Sequence, residues 1–415
     1  LAFSLDGDLY TLRPGAEPVK IAVEIATDDY DSDRVKRYIT GGADAIAVSP
    51  SGDEVAFVAH GDIYVTSAKY KTTKRITDTP GQERGVSFSP DGRSLVYDSE
   101  RDGRWQLFIT SIVNDDEKQF AYATDLVEKP LYSSDKAAQW PDYSPDGKKV
   151  AFLEDRTTLR VIDLDTKAVN TALDGKYNYS YADGDVTFSW SPDSRWLLTS
   201  YIGVGGWNNS DIAIVRADGS EVVDLTESGY SDQSPKWVLG GKGVTYTTGK
   251  YGMKSHGSWG NQDDIVIMLL DGEAWDEFNM TEEEAALAEK AKENKADENK
   301  SDNKKDKKDK KSKKNKGKDA KADEDTIEPL DFDLANRKYR TRRLTGSSAI
   351  YGDYFLSPKG DKLYYVVRDS EGSYNLMCLD IRKGETKVLT HGVRGAFATD
   401  KKGEKLFVIS GSGIK

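Results

Sequence analysis

A single cysteine, Cys378, in 415 residues excludes any disulfide within the chain. It sits in Asn375-Leu376-Met377-Cys378-Leu379, a strand pattern, and reads as a buried structural thiol. There are three histidines, His60, His256 and His391, each in a different turn or loop segment. The sequence has no His-Glu-x-x-His helix, no Gly-x-Ser-x-Gly elbow, no cysteine pair for zinc and no glycine-rich phosphate loop. These absences exclude the common hydrolase, zinc and nucleotide signatures, so the chain itself is expected to be non-catalytic, with no cofactor and no metal. The longest apolar run, Ile265 to Leu270, is too short to span a bilayer.

The formal charge is −12. Between Thr281 and Glu328 there are 15 Lys and 15 Asp plus Glu, so the remainder carries the whole imbalance. An acidic fold argues against nucleic acid as the main partner.

What the sequence does contain is a repeated turn. Val86-Ser87-Phe88-Ser89-Pro90-Asp91-Gly92-Arg93-Ser94-Leu95-Val96-Tyr97 has near-copies at Ser49, Ser144 and Ser191, and degraded ones at Val238, Ser357 and Thr399. Pro90 pre-sets φ at the second turn position, Asp91 can bond its own backbone, and Gly92 supplies a residue at positive φ. The Val-, Phe- and Tyr-rich flanks read as antiparallel strands. Spacings between copies are 40, 55, 47, 47, 119 and 42 residues, and five of the six match a four-stranded propeller blade. Further strands follow each turn, as in Asp62-Ile63-Tyr64-Val65 and Lys74-Arg75-Ile76-Thr77. The fold class expected is all-β: a seven-bladed β-propeller of four-stranded antiparallel blades, with a disordered charged insertion.

The boundaries expected are 1–34 for the tail of a preceding propeller or a linker, and 35–415 for the propeller, interrupted at 273–328. Residues 1–33 match the second to fourth strands of a blade. Either a preceding propeller is cut, or these strands close the ring with the C-terminal ones. Asp29, Asp31 and Asp33 alternate like the start of a calcium loop, but Arg34 and Thr40 stand where such a loop needs Gly and Glu; they read as an acidic linker. Trp105, Trp140, Trp190, Trp196 and Trp237 read as packing between blades.

Two loops joining second to third strands, one holding Trp207 and Asn208, the other Tyr251, His256 and Trp259, mix glycine with aromatics. They form the candidate partner or substrate face. In adjacent blades, Trp207 and Trp259 are expected side by side. Thr281-Glu282-Glu283-Glu284 is a capping box opening a helix to about Asn294. Lys300 to Lys321, with 12 Lys against 4 Asp, reads as a solvated tether. Joining a third strand to a fourth, the insertion should leave from the face of the Ser-Pro-Asp-Gly turns, opposite the aromatic loops.

The repeat, with Asp102-Gly103-Arg104-Trp105-Gln106-Leu107-Phe108-Ile109 after it, resembles TolB-like propeller repeats. More of the chain is similar to tricorn-type serine proteases: Val19-Lys20-Ile21 with Asp28-Asp29, the blade Ile46 to Phe57, the glycine-rich loop and charged insertion, Leu330-Asp331-Phe332-Asp333, and Ser410-Gly411-Ser412-Gly413. That resemblance implies a non-catalytic propeller that gates or recognises oligopeptides for a serine peptidase. The catalytic and PDZ parts would lie beyond Lys415, and no catalytic residue transfers onto this sequence. The implied partners are peptides and the parent's own PDZ and catalytic domains, with a homo-oligomer through the parent; neither nucleic acid nor a membrane span is implied. The compartment expected is cytoplasmic, with periplasmic the alternative. The competing readings are a TolB-like protein-binding scaffold and the propeller of a prolyl-oligopeptidase-type enzyme.

Overall fold

The computed structural model describes residues 1–5, 7–23, 42–70, 72–203, 206–254, 262–291, 328–399, 405–410 and 413–414. Asp29, Asp31, Asp33 and the lysine run 300–321 lie outside them. The chain divides into two compact units, Leu1–Gly42 and Ala43–Lys415.

The first unit is a three-stranded meander of Ala2–Leu5, Asp8–Thr11 and Val19–Lys20. Phe3 stacks on its cross-strand partner Tyr10, with ring centroids 5.5 Å apart.

The second unit is a seven-bladed β-propeller. Its seven antiparallel sheets follow one another along the chain, each with strands in chain order. They span 43–75, 83–132, 138–173, 188–224, 232–343, 351–390 and 393–414, here blades I to VII. Blade VII shows three strands among the described residues, and the other six blades show four.

The repeated turn joins the first strand of each blade to the second, and the structure shows why serine leads it. Ser89 Oγ donates to Asp91 Oδ1 at 2.5 Å and accepts the Ser94 N–H at 2.9 Å, while Gly92 sits at φ +73°. Ser144 and Ser191 make the same hydroxyl-to-Asp bond at 2.6 Å. In blade VI, Lys359 replaces the aspartate, and the hydroxyl of Ser357 turns instead to Asp361 Oδ1, also at 2.6 Å. In blade IV, Ser194 takes the glycine's place at φ +60°, and its Oγ accepts the Asp146 N–H from the neighbouring turn.

A second local device ties the third strand to the fourth. Thr226 Oγ1 donates to Asp211 Oδ1 and accepts the Ile212 N–H, and Thr345 does the same with Asp264 and Ile265. Thr77 accepts the Ile63 N–H in blade I. The Leu-Thr or Ile-Thr ending of the fourth strands therefore satisfies backbone and carboxylate groups that burial would otherwise strand.

The core lies between blades, not inside one. Ala56, Val58, Ile63 and Val65 of blade I meet Phe88, Leu95 and Tyr97 of blade II. Fully burying one such side chain contributes about 1.5–3 kcal/mol. The residue before each turn serine points at the preceding blade: Phe88, Tyr143, Trp190 and Leu356 are buried, whereas Val48 of blade I is 61% exposed. Trp190 Nε1 donates to the Asp142 carbonyl and Trp237 Nε1 to the Ser189 carbonyl, each stitching two blades.

The insertion separates the third strand of blade V, Asp264–Leu269, from the fourth, Thr341–Arg343. It opens with a helix that the sequence reading did not delimit, α1 (Gly272–Asn279), capped by Asp271 accepting the Glu273 N–H. Ala274 and Phe278, one turn apart, are its buried face. The capping box forms as read: Thr281 N donates to Glu284 Oε2, Glu284 N donates to Thr281 Oγ1, and 282–291 are helical. At the far end Leu330 N donates to Asp193 Oδ2 in the blade IV turn, and Phe332 packs against Trp196 and Trp237. Both flanks thus lie over the Ser-Pro-Asp-Gly turns.

Candidate docking face and channel

Trp207 and Asn208 lie in the loop between Trp196–Tyr201 and Asp211–Arg216, the second and third strands of blade IV. Tyr251 follows Gly243–Thr248 in the matching loop of blade V. The two loops touch where Lys254 Nζ donates to Asn209 Oδ1 at 2.9 Å. His256 and Trp259 fall outside the described residues, so their expected place beside Trp207 is not described. The ring neighbours that the structure does give Trp207 are Tyr179 and Tyr181. These belong to the connection from blade III to blade IV, which runs along the same face as the second-to-third loops.

That connection is built step by step. Asp174 caps a short 3₁₀ turn by accepting the Lys176 N–H. Tyr177 stacks on Tyr201 at 5.2 Å, and its carbonyl accepts the Ile202 N–H at 2.7 Å, so connection and loop zip together. Asp185 then accepts the N–H groups of Tyr181 and Ala182 and closes the turn. Tyr179, Tyr181 and Trp207 pack with centroids 4.8, 5.6 and 5.8 Å apart. They are 50%, 61% and 52% exposed. A cage for a cation needs rings about 6 Å from the charge on several sides; rings this close leave no such hole. The trio is a raised apolar platform.

Beside it the same loop turns at Gly203. A Cβ there would stand 2.7 Å from Asp224 Oδ2, 3.1 Å from the Tyr201 ring and 3.3 Å from Asp211 Oδ2. Asp211 is buried, and its Oδ1 is occupied by Thr226 and Ser228. Neither carboxylate forms an ion pair among the described residues; Arg337 reaches the main-chain carbonyl of Asp224 instead. Burial, with the Asp211 and Glu227 carboxylates close by, pushes the Asp224 carboxyl up to about 6.

On the other side of the platform, Asp183 is held by two arginines. Arg84 Nη1 lies 2.9 Å from its Oδ2, and Arg156 Nε 3.2 Å from its Oδ1. The Arg84 guanidinium lies over the Trp105 ring at 3.6 Å. Its Nε is 3.9 Å from Asp98 Oδ2, and burial pushes the Asp98 carboxyl up to about 7. Arg84 stands at a bulge in the first strand of blade II, where register shifts between Glu83 and Val86. A matching bulge in blade III puts Trp140 at φ +55°. Gly184 then passes so close to Trp140 that a Cβ would meet its Cζ2 at 2.8 Å.

Gly184 also borders a channel of about 600 Å³ between the first strands of blades I to IV. Ile46, Val48, Val86, Val186 and Phe188 line it together with Asp44, Thr187 and a polar pair, Ser87 Oγ donating to Asp142 Oδ1 at 2.7 Å. It follows the inner strands from Asp44 to Pro50 in blade I. A cavity of about 680 Å³ on the turn face, between the 272–291 helices and blade VI, is lined by side chains of both charges. Among the described residues, no three His, Cys, Asp or Glu converge as metal ligands. No described helix is long and apolar enough to cross a membrane.

The platform was only partly legible in sequence. Trp207 was singled out, but Tyr179 and Tyr181 were not; the signal was Tyr177-Asn178-Tyr179-Ser180-Tyr181, three tyrosines at alternate positions in an otherwise polar connection. Cys378 is buried as read, and burial pushes its thiol up.

Residues 22–140 match the TolB β-propeller domain family. A segment of 139 residues is 28% identical to the tricorn protease homolog of Saccharolobus solfataricus, covering 34% of this chain and 12% of that protein. In fold the chain is similar to the crystal structure of the tricorn protease, with a TM-score of 0.57 at 12% identity over 98% of this chain. It spans 36% of that chain. An oligogalacturonate lyase solved with manganese gives a TM-score of 0.51 at 12% identity, over 89% of this chain and 86% of its own. At such identities these likenesses bear on fold alone. Residues 22–140 thus carry TolB-like propeller repeats, and the chain as a whole is similar in architecture to the propeller part of the tricorn protease.

Proposed function

We propose that the chain is a non-catalytic propeller that admits and recognises oligopeptides for a tricorn-like serine peptidase. The observation that carries this reading is the channel itself. Its walls set aliphatic and aromatic side chains among the polar groups of Asp44, Ser87, Asp142 and Thr187, and its border residue Gly184 lies three residues from Tyr181 of the exposed platform. An extended peptide offers side chains to such walls and keeps its main chain free to move on. The charge of −12, carried wholly outside the neutral segment 281–328, argues against nucleic acid as the main partner.

The test is photo-crosslinking with oligopeptides carrying a C-terminal benzoylphenylalanine. Labelling should map to the inner strands of blades I to IV, and Ile46→Trp, at a 66% exposed channel position, should suppress it without lowering Tm. Labelling spread over the outer strands, or indifferent to Ile46→Trp, overturns the reading. The same pure chain should hydrolyse no fluorogenic peptide.

A further inference from the structure

Arg84 stands between two carboxylates. Its Nη1 reaches Asp183 Oδ2 at 2.9 Å, while its Nε faces Asp98 Oδ2 across 3.9 Å. The second distance is too long for a hydrogen bond. Asp98 is 0% exposed, yet its Oδ2 and the Nε and Nη2 of Arg84 have no hydrogen-bond partner among the described residues. An ionised carboxylate in that position would draw the guanidinium in, because a buried charge without a bonded partner is costly. The open gap is the geometry of a neutral Asp98, and burial, which pushes this carboxyl up to about 7, agrees with it.

Ionisation changes the balance for Arg84. The edge formed by Nε and Nη2 suits a carboxylate, and reaching Oδ2 takes an inward shift of about 1 Å. Asp183 cannot follow, since its neighbour Gly184 already lies against Trp140, where even a Cβ would stand 2.8 Å from Cζ2. Asp183 is then left with Arg156, 3.2 Å away, and the tyrosine connection loses its tie to blade II. The other groups around Asp98 do not compete for this role. On its own sheet the Gly85 N–H donates to Oδ1, Glu83 Oε1 is held by the Thr79 and Ser99 hydroxyls, and the cross-strand partner is apolar Leu107. Blade III offers the Trp140 main-chain N–H. On the blade I side the Gly61 carbonyl accepts the Glu83 N–H at 2.7 Å, which brings the preceding residue, His60, into consideration as a second titrating group.

We propose that Asp98 and Arg84 form a proton-controlled switch beneath the aromatic platform: with Asp98 neutral, Arg84 holds Asp183 and fixes the connection that carries Tyr179 and Tyr181, and with Asp98 ionised, the guanidinium turns to it and releases that connection. Two of the three platform rings belong to the released segment, so acid favours the ordered platform and alkali the loosened one. The switch rests on the peptide-admitting reading for its purpose alone, as regulation of the face beside the channel; its operation needs no peptide.

The experiment is amide hydrogen exchange on the whole 415-residue chain between about pH 5.5 and 8.5, expressed as protection factors so that the intrinsic pH dependence of exchange cancels. The Tyr181 and Ala182 N–H groups, both bonded to Asp185, are the reporters. Their protection should fall by at least about threefold as pH rises through 7, while that of the inner strands of blade III stays level. Asp98→Asn, fixed in the neutral form, should keep the acid-side protection at both ends of the range, and Arg84→Ala should show the lower protection at both. His60→Gln should leave the wild-type profile in place. Flat protection in the wild-type chain overturns the switch, and this profile decides even where a variant fails to fold. A pH response that survives Asp98→Asn, or that vanishes in His60→Gln, also overturns it. None of these outcomes touches the channel reading, which stands or falls with the crosslinking pattern and Ile46→Trp.

Discussion

Arg84 of blade II and Asp183 of the connection between blades III and IV meet across blade III, Nη1 to Oδ2, at 2.9 Å. The pair links residues 99 positions apart and anchors the segment that carries the exposed tyrosines. Arg84→Ala removes that bond and the stacking on Trp105. It should lower stability by about 1–2 kcal/mol, more than an exposed pair because the guanidinium is largely covered. Denaturant titration measures the loss, and faster amide exchange at 179–183 should accompany it.

Asp98 makes a prediction with a definite sign. Burial raises its carboxyl to about 7 in the folded state, from the ordinary 3.8. The native chain therefore binds more protons than the unfolded chain between those values, and the stability owed to this group falls as pH rises from 4 toward 7. Asp98→Asn keeps an acceptor for the Gly85 N–H, which now reaches Oδ1 at 2.6 Å. The variant should show a flatter dependence of the urea midpoint on pH across that window. An unchanged slope would assign the proton uptake elsewhere.

The insertion divides into parts of unequal weight. Phe332 packs between Trp196 and Trp237, at 5.6 and 6.2 Å, so Phe332→Ala should cost about 2 kcal/mol. Deleting 281–325 leaves Phe278 and Leu330 in place. Among the described residues it removes two surface ion pairs, Glu282 with Lys383 and Glu289 with Lys359. Its Tm should stay close to that of the intact chain, since exposed pairs contribute little.

Gly92→Val should destabilise by about 1–3 kcal/mol, because a β-branched residue is strained at φ +73°. The same change at Gly272, where φ is not positive and nothing lies within 4 Å of a Cβ, should be milder.

The parts of this fold that could be read in the sequence are those set by local chemistry. The turn is legible because serine, proline, aspartate and glycine each act within five residues, and its recurrence fixes blade number and strand order. The face from which the insertion leaves follows from strand count alone. The compensation at Ser357 was hidden: a lysine in the turn looks like decay until Asp361 is seen taking the hydroxyl. The docking face was half legible. Trp207 stands out in a glycine-rich loop, but its partners come from an inter-blade connection that carries no repeat, and nothing in their spacing to Trp207 signals contact. Arg84 and Asp183 were beyond sequence reasoning, because their meeting depends on a bulge that re-aims one side chain across a whole blade.

The long excursion inside blade V also bears on how the ring is assembled in time. Most blades close by pairing strands a few residues apart, whereas Val266 must find Arg343 across everything between 270 and 340. Loop-closure entropy grows only with the logarithm of length, so the finished blade is hardly weaker for it. The search is longer, however, and during synthesis the first three strands of blade V leave the ribosome well before the fourth exists. For that interval the edge of Asp264–Leu269 is bare, and α1, which follows it at once and buries Phe278 against the same blade, is the first element available to shield it.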